Sequence, residues 1–172
     1  RHAQTSDATF VFNGNNDSVS LGQVVQVTGT VSEFGFFSAG GSLTELTPGN
    51  VEICGISGSI SAVSVALPQA NPTALERYEG MLVTFQQPLF VSEHFQLGRF
   101  GQVTLSGAAR LPQPTNVALP GAPALQQQAA NDSNQLVLDD DTQIQNPEPI
   151  KFGRNGSPLS ASNTPRGGHW VL

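Results

Sequence analysis

Aromatic and basic side chains surround two glycines in the stretch HFQLGRFGQVTLSG, from His94 to Gly107. Exposed aromatic rings can stack on nucleic-acid bases while arginines contact the phosphates, and each stacked base contributes ~1–3 kcal/mol to binding. This combination predicts a surface that binds single-stranded nucleic acid. The candidate residues, in this stretch and in the segments on either side of it, are Arg77, Tyr78, His94, Phe95, Arg99, Phe100 and Arg110.

A structural corner between two strands is the alternative interpretation of this stretch, because the alternating run QVTLS at its end predicts a strand. Phe95 and Phe100 would then cap the core. Arg99 would pair with a carboxylate, either Glu93 or Glu76. Glycines interrupt the alternation, so spacing does not decide which rings face inward, and one ring can face inward while the other faces solvent.

Three consecutive carboxylates follow the predicted strand NQLVL, at Asp139, Asp140 and Asp141. Carboxylate oxygens in a turn are the ligands that Ca²⁺ prefers, so these residues are the candidate metal ligands and Ca²⁺ is the candidate cofactor. The spacing of an EF-hand loop, with its central Gly and final Glu, is absent from the sequence around them. The alternative interpretation is a solvated turn.

Other catalytic chemistry has little support in the sequence. The histidines, His2, His94 and His169, are scattered, and no G-x-S-x-G motif is present. A single cysteine, Cys54, excludes a disulfide within the chain and a cysteine-based zinc site. Cys54 lies in the predicted strand VEICG, where we expect it to be a small core residue. We therefore expect no catalytic residues in this chain.

The composition is polar but weakly charged. Charged residues make up 12% of the 172 residues, and the net charge is −6, which disfavours a free-standing DNA-binding protein. Abundant uncharged polar residues with few charges are typical of secreted bacterial proteins, so we expect an extracellular location. No apolar run approaches the ~20 residues that a membrane helix needs, so we expect no membrane span.

Alternating strands dominate the pattern and predict an all-β fold with at most two short helices. Glycine and proline together number 30, which suits many short strands and turns. Gly29 interrupts the alternation of residues 23–34 as a bulge or a barrel corner would. The helices are predicted over residues 71–80 and 120–134. The proline-rich residues 109–125 are predicted to be a surface crossover.

A short internal sequence repeat indicates that the chain folds as two modules. Val31-Ser32-Glu33 and Val91-Ser92-Glu93 both follow a glycine, a strand and a strand breaker. A repeat of this size fits two small barrels of the OB type, a five-stranded Greek-key barrel, although chance similarity between strands is the alternative. We therefore predict two OB-like, barrel-like or sandwich-like β-modules, at residues 1–66 and 67–172.

Four motifs together resemble the central region of secreted bacterial nucleases of the ExeM/NucH type. They are LERYEGMLVTF, LGRFGQVTLS, RLPQPTNVALPG and NQLVLDDDTQIQNPEPI, in this order. The resemblance extends from about residue 8 to residue 163 and is most specific over residues 75–150. It implies OB-like domains that precede a metal-dependent endonuclease/exonuclease/phosphatase domain. Nothing in this chain matches the catalytic Glu, Asp, His and Asn residues of that downstream domain.

Two functions follow as expectations. The first is a non-catalytic accessory module of a secreted nuclease-like protein, which makes weak contact with DNA or another single-stranded nucleic acid or positions the downstream nuclease domain. The second is an extracellular assembly module. The resemblance implies that the first module lacks opening strands and the second lacks closing strands. Bare strand edges pair with other copies of the chain, and residues 1–12 and 168–172 are the strands suited to that exchange.

Overall fold

The computed structural model describes residues 5–14, 19–35, 42–56, 58–142 and 144–171. His2, from the histidines considered above, lies outside these residues. The chain divides into two compact units. The first unit contains residues 1–64 and 73–84, and the second contains residues 65–72 and 85–172. The chain thus enters the second unit near residue 65, returns to the first for residues 73–84, and then completes the second.

The first unit is built on a long antiparallel pair of strands. β2 (Gln23–Phe34) pairs with β3 (Leu43–Ile56), and the short β1 (Phe10–Val11) pairs in parallel with β3 on its other side. The register of β2 against β3 shifts at Gly29, which confirms the predicted bulge. A side chain at Gly29 would meet the backbone carbonyl of Thr47 at 2.1 Å, so only glycine fits at this position.

Two short strands lie at the points where the chain passes from one unit to the other. β4 (Val63–Val65) and β5 (Val83–Phe85) form a two-stranded sheet, and the division between the two units falls within both strands. The predicted helix over residues 71–80 is wrong, since its only helical part is a 3-10 turn at Glu76–Tyr78.

The second unit contains a four-stranded sheet. Its strands are β6 (Leu89–Glu93), β7 (Val103–Gly107), β8 (Gln135–Leu138) and β9 (Trp170–Val171), in the spatial order β8-β7-β6-β9, with each neighbouring pair antiparallel. The buried core lies against this sheet and is formed by Leu67, Leu89, Val91, Leu97, Val103 and Leu105. Every buried apolar side chain among the described residues belongs to this second unit.

Three short α-helices occur in the described part of the second unit, one more than the sequence predicted. They are α1 (Leu97–Phe100), α2 (Pro114–Val117) and α3 (Ala122–Asp132). α3 confirms the helix predicted within residues 120–134. It has proline in its first turn, where no backbone N–H is needed. The proline-rich segment over residues 109–125 is not a strand, and its middle forms α2.

The fold is mainly β, with few short helices. None of the three sheets formed by the described residues closes into a barrel. Cys54 is exposed, so its prediction as a core residue is wrong. The reason is that Cys54 lies on β3 in the first unit, where no apolar side chain among the described residues is buried. No helix in the described ranges is long and apolar enough to cross a membrane.

Candidate nucleic-acid interface

The stretch from His94 to Gly107 contains β7 and, before it, the helical turn that connects β7 to its antiparallel neighbour β6. β6 ends at Glu93, α1 follows, and β7 begins at Val103. Gly101 closes α1 in the left-handed conformation, with φ of 68°, and its N–H donates to the carbonyl of Leu97 at 3.1 Å. We name residues 94–101 the α1 corner.

Glu93 organises the start of the α1 corner. Its Oε1 accepts hydrogen bonds from the backbone N–H groups of His94 and Phe95, each at 2.8 Å. This carboxylate therefore serves the backbone of the turn and is not the partner of Arg99. The Phe95 side chain is 82% exposed, so it does not cap the core, and His94 is exposed as well.

Leu97 is the residue that anchors the corner to the core, with 3% exposure. The intervening helical turn changes the side-chain period from two to about 3.6 residues, so the inward position falls on Leu97 rather than on either phenylalanine. Phe100 is half-buried, and the Arg99 guanidinium carbon lies 5.0 Å from the centre of its ring. This distance is within the range of a cation–π contact.

The hydrogen bonds of Arg99 that the structure describes are made with uncharged groups. The Arg99 guanidinium donates to Oε1 of Gln145 at 3.4 Å, and the backbone N–H of Asn146 donates to the carbonyl of Arg99 at 2.7 Å. The sequence analysis missed both partners. The Arg99 and Gln145 positions are 46 residues apart, and no local pattern predicts such a contact. Within the described ranges, Arg99 has no carboxylate partner, so its charge is available to an anionic ligand.

The other candidate residues lie apart from the α1 corner along the chain. Arg77 and Tyr78 belong to the first unit, where the Arg77 guanidinium carbon lies 4.6 Å from the centre of the Tyr78 ring and the guanidinium donates to the Tyr78 hydroxyl. Arg110 belongs to the second unit and lies in the loop after β7, where its Nε donates to the carbonyl of Ser92 at 3.4 Å.

The aspartate run follows β8 and forms a hydrogen-bonded turn. Asp139 accepts from the Gln102 side chain and from the backbone N–H of Asp141, both at 2.8 Å. Asp140 is 3% exposed; its Oδ1 accepts from the N–H of Thr142 at 3.2 Å, while its buried Oδ2 has no hydrogen-bond partner in the described part of the chain. Among the residues that the structure describes, no three His, Cys, Asp or Glu side chains form a group that could hold a metal ion.

Charge is distributed unevenly between the two units. The first unit contains seven acidic and two basic residues, whereas the second contains six acidic and five basic residues. The second unit is thus almost neutral even though the whole chain carries −6. It therefore repels a polyanion less than the net charge of the chain indicates.

Comparisons with protein-family models, with curated proteins and with solved structures gave no match. The likeness to the ExeM/NucH nucleases therefore rests on the four sequence motifs.

Proposed function

We propose that this chain is a non-catalytic accessory β-module of a secreted nuclease-like protein, and that it contacts single-stranded nucleic acid through the α1 corner. The observation that carries this proposal is that the α1 corner contains both an exposed aromatic ring, Phe95, and Arg99, a cation that lies over the Phe100 ring and that no carboxylate in the described part of the chain neutralises. A ring that stacks on a base and a guanidinium that contacts the neighbouring phosphate are the two elements of single-strand binding.

The contact is weak and auxiliary. A single exposed ring contributes ~1–3 kcal/mol through stacking, which is far from the free energy of a tight complex. The net charge of −6 opposes the approach of a polyanion. Such a module positions a strand for a neighbouring nuclease domain, which is the arrangement that the resemblance to the ExeM/NucH family implies. An extracellular location follows from the same resemblance.

The test is fluorescence anisotropy of a labelled oligothymidine with the purified chain at low salt. We expect weak binding that falls steeply as salt rises, because each neutralised phosphate releases a counterion. Phe95→Ala and Arg99→Ala should each weaken binding. The matched controls are Phe12→Ala, an exposed aromatic of the first unit, and Arg154→Ala, an exposed arginine of the second unit. If wild-type protein shows no binding even at low salt, the proposal is wrong.

A second candidate function, assembly through strand edges, is favoured by the exposed strand β2. In the order β1-β3-β2 formed by the described residues, this 12-residue strand has a partner on one side only. Its exposed apolar side chains are Val24, Val25, Val31 and Phe34. A long apolar strand with a free edge pairs readily with a strand of another copy.

The strands that would be exchanged are paired within the chain. β1 lies beside β3, and β9 lies beside β6, each through two residues. Exchange between copies would replace these short pairings with identical ones between chains, which is the low-cost route of domain swapping. Where each copy donates its strand to the next copy rather than exchanging strands with one partner, the contact is head-to-tail and builds filaments rather than closed dimers.

Light scattering and negative-stain imaging of the intact chain and of a chain without residues 1–12 test this second function. We expect the intact chain to assemble at high concentration. The truncated chain should remain monomeric, since it keeps the free edge of β2 but has lost β1, the strand that it would donate to another copy. A monodisperse intact monomer at high concentration would contradict assembly and favour the accessory nuclease module.

A further inference from the structure

A depression of about 240 Å³ lies on the surface of the second unit, and none of the described residues that line it belongs to the α1 corner. One wall is the loop after β7, residues 107–112, which includes Arg110. The other wall is formed by α3 and the residues after it, through Gln127, Ala130, Asn131 and Asn134. The walls therefore combine a cation, side-chain amides and small apolar groups.

Two buried hydroxyls fix the loop that carries Arg110. The N–H of Leu111 donates to Oγ of Ser92 at 2.9 Å, Oγ of Ser92 lies 2.6 Å from Oγ of Ser106, and Oγ of Ser106 donates to the carbonyl of Ala109 at 2.8 Å. A carbonyl only accepts and a hydroxyl has one proton, so Ser92 donates to Ser106. The residues immediately before and after Arg110 are thus held by the same chain of hydrogen bonds.

The loop begins with a strained turn. Ala108 has φ of 71°, and the N–H of Ala109 donates to the carbonyl of Gly107 at 2.9 Å, which closes a three-residue turn. A non-glycine residue in this conformation is unfavourable and persists only where the surrounding structure holds it. Strained backbone of this kind occurs preferentially at binding sites and active sites.

Among the described residues, the guanidinium of Arg110 makes its hydrogen bond through one nitrogen, Nε. Its Nε donates to the Ser92 carbonyl, and a side-chain carbon at Gly167 would lie 2.8 Å from this Nε, so glycine leaves the space that the arginine occupies. In the described ranges, the two terminal nitrogens of Arg110 donate no hydrogen bond and pair with no carboxylate. Arg110 is exposed, and a guanidinium with two free terminal nitrogens matches two oxygens of one oxyanion.

We propose that this depression is a phosphate-binding site in which Arg110 takes two phosphate oxygens. Gln127 donates through its amide nitrogen to Asn131 at 2.9 Å, so its carbonyl oxygen is available to a donor group attached to the phosphate. The volume is below the ~300–1,000 Å³ of pockets for larger ligands, so the site takes one phosphate with its sugar. The phosphate belongs either to a free nucleotide or, as a deepening of the function proposed above, to a nucleic-acid strand.

The test is a titration of the full chain, followed by heteronuclear NMR, with inorganic phosphate, with thymidine monophosphate and with oligothymidine. We expect the phosphate and the mononucleotide to shift the amide signals of residues 107–112. Arg110→Gln should weaken their binding at least about tenfold, since charge-assisted bidentate bonds are lost. The matched control is Arg154→Gln, which makes the same charge change at an exposed turn of the second unit and should leave affinity within about twofold.

A second pair of variants keeps the test valid if Arg110→Gln fails to fold. Ala130→Glu places a carboxylate in the wall of the depression and should abolish phosphate binding by repulsion. Ala129→Glu adds the same charge one residue earlier on α3, at an exposed position that does not line the depression, and should leave binding within about twofold.

The outcomes separate this inference from the proposed function. If the mononucleotide binds through Arg110 and oligothymidine does not bind, the phosphate site is confirmed and the proposed binding of single strands is wrong. If oligothymidine binding depends on Arg99 while neither phosphate nor mononucleotide binds at millimolar concentration, the phosphate site is wrong. Equal binding by wild type, Arg110→Gln and Ala130→Glu overturns it as well.

Discussion

The side-chain hydroxyls of Ser92 and Ser106 lie 2.6 Å apart across neighbouring strands, and both residues are buried. The register between β6 and β7 shifts between Val91 and Glu93, so Ser92 is the extra residue of a bulge. A bulge changes the face on which the next side chain lies. Ser92 is consequently buried beside Val91, although a regular strand would place it on the opposite face.

Ser106→Ala should destabilise the second unit by ~1–3 kcal/mol, because the hydroxyl of the buried Ser92 loses its acceptor and the Ala109 carbonyl loses its donor. Chemical denaturation followed by circular dichroism measures the change. Ser157→Ala, at an exposed serine of the same unit, is the control and should change stability by less than about 0.5 kcal/mol. Equal stability of both variants would show that the hydroxyl chain contributes nothing.

Gly101→Ala should destabilise the chain by more than about 2 kcal/mol. Its φ of 68° disfavours any side chain, and a Cβ there would lie 2.3 Å from Cγ of the buried Asp140. Gly98→Ala in the same short helix is the matched control, since a Cβ at Gly98 meets nothing within 4 Å. Alanine is the better helix former, so this control should be neutral or stabilising by up to ~1 kcal/mol. Urea denaturation of both variants decides the prediction.

Glu76→Gln should stabilise the first unit slightly at neutral pH. Slight burial, followed by the negative charges of Glu79 and Glu33, raises the pKa of the Glu76 carboxyl above its ordinary value of 4.5. A raised folded-state pKa means that the folded state binds the proton more tightly, so stability falls as pH rises from about 4.5 through the folded-state value. The gain should be less than about 0.5 kcal/mol, because Glu76 is largely exposed and solvent screens its charge.

Thermal denaturation of wild type and Glu76→Gln between pH 3 and pH 7 measures this effect. We expect the two melting temperatures to agree at the acid end and to diverge in favour of the variant as pH rises. Glu52→Gln, at an exposed glutamate of β3, controls for the loss of one carboxylate from an acidic chain. A variant that is less stable than wild type at pH 7 contradicts the predicted sign.

The purified chain should cleave no DNA in the presence of Mg²⁺, Mn²⁺ or Ca²⁺. This prediction follows from the sequence, which lacks a match to the catalytic residues of the nuclease family it resembles. Plasmid nicking assays at each metal measure the activity. Cleavage that follows the protein through purification, and that is lost in the double variant Asp139→Ala and Asp141→Ala, would overturn the prediction and make the aspartate run a metal site.

The sequence alone determined the local features of this protein. Alternating residues predicted most of its strands, because the two faces of a strand differ over a few consecutive positions. The interruption at Gly29 predicted its bulge, and the sequence of residues 120–134 predicted the helix that α3 forms there. The prediction over residues 71–80 was wrong because cap-like residues at both ends enclose only a 3-10 turn. Residues that favour the ends of a helix do not show how the residues between them pack against the rest of the fold.

Tertiary structure decided which of these residues form sites. Leu97, rather than Phe95 or Phe100, faces the core because α1 changes the side-chain period between two strands. Arg99 meets Gln145 only because the segment after β8 lies beside α1, and Ser92 meets Ser106 only because the bulge at Ser92 sets the register of β6 against β7. These contacts depend on register and on bulges, where a shift of one residue moves a side chain to the other face, and no short stretch of sequence fixes the register.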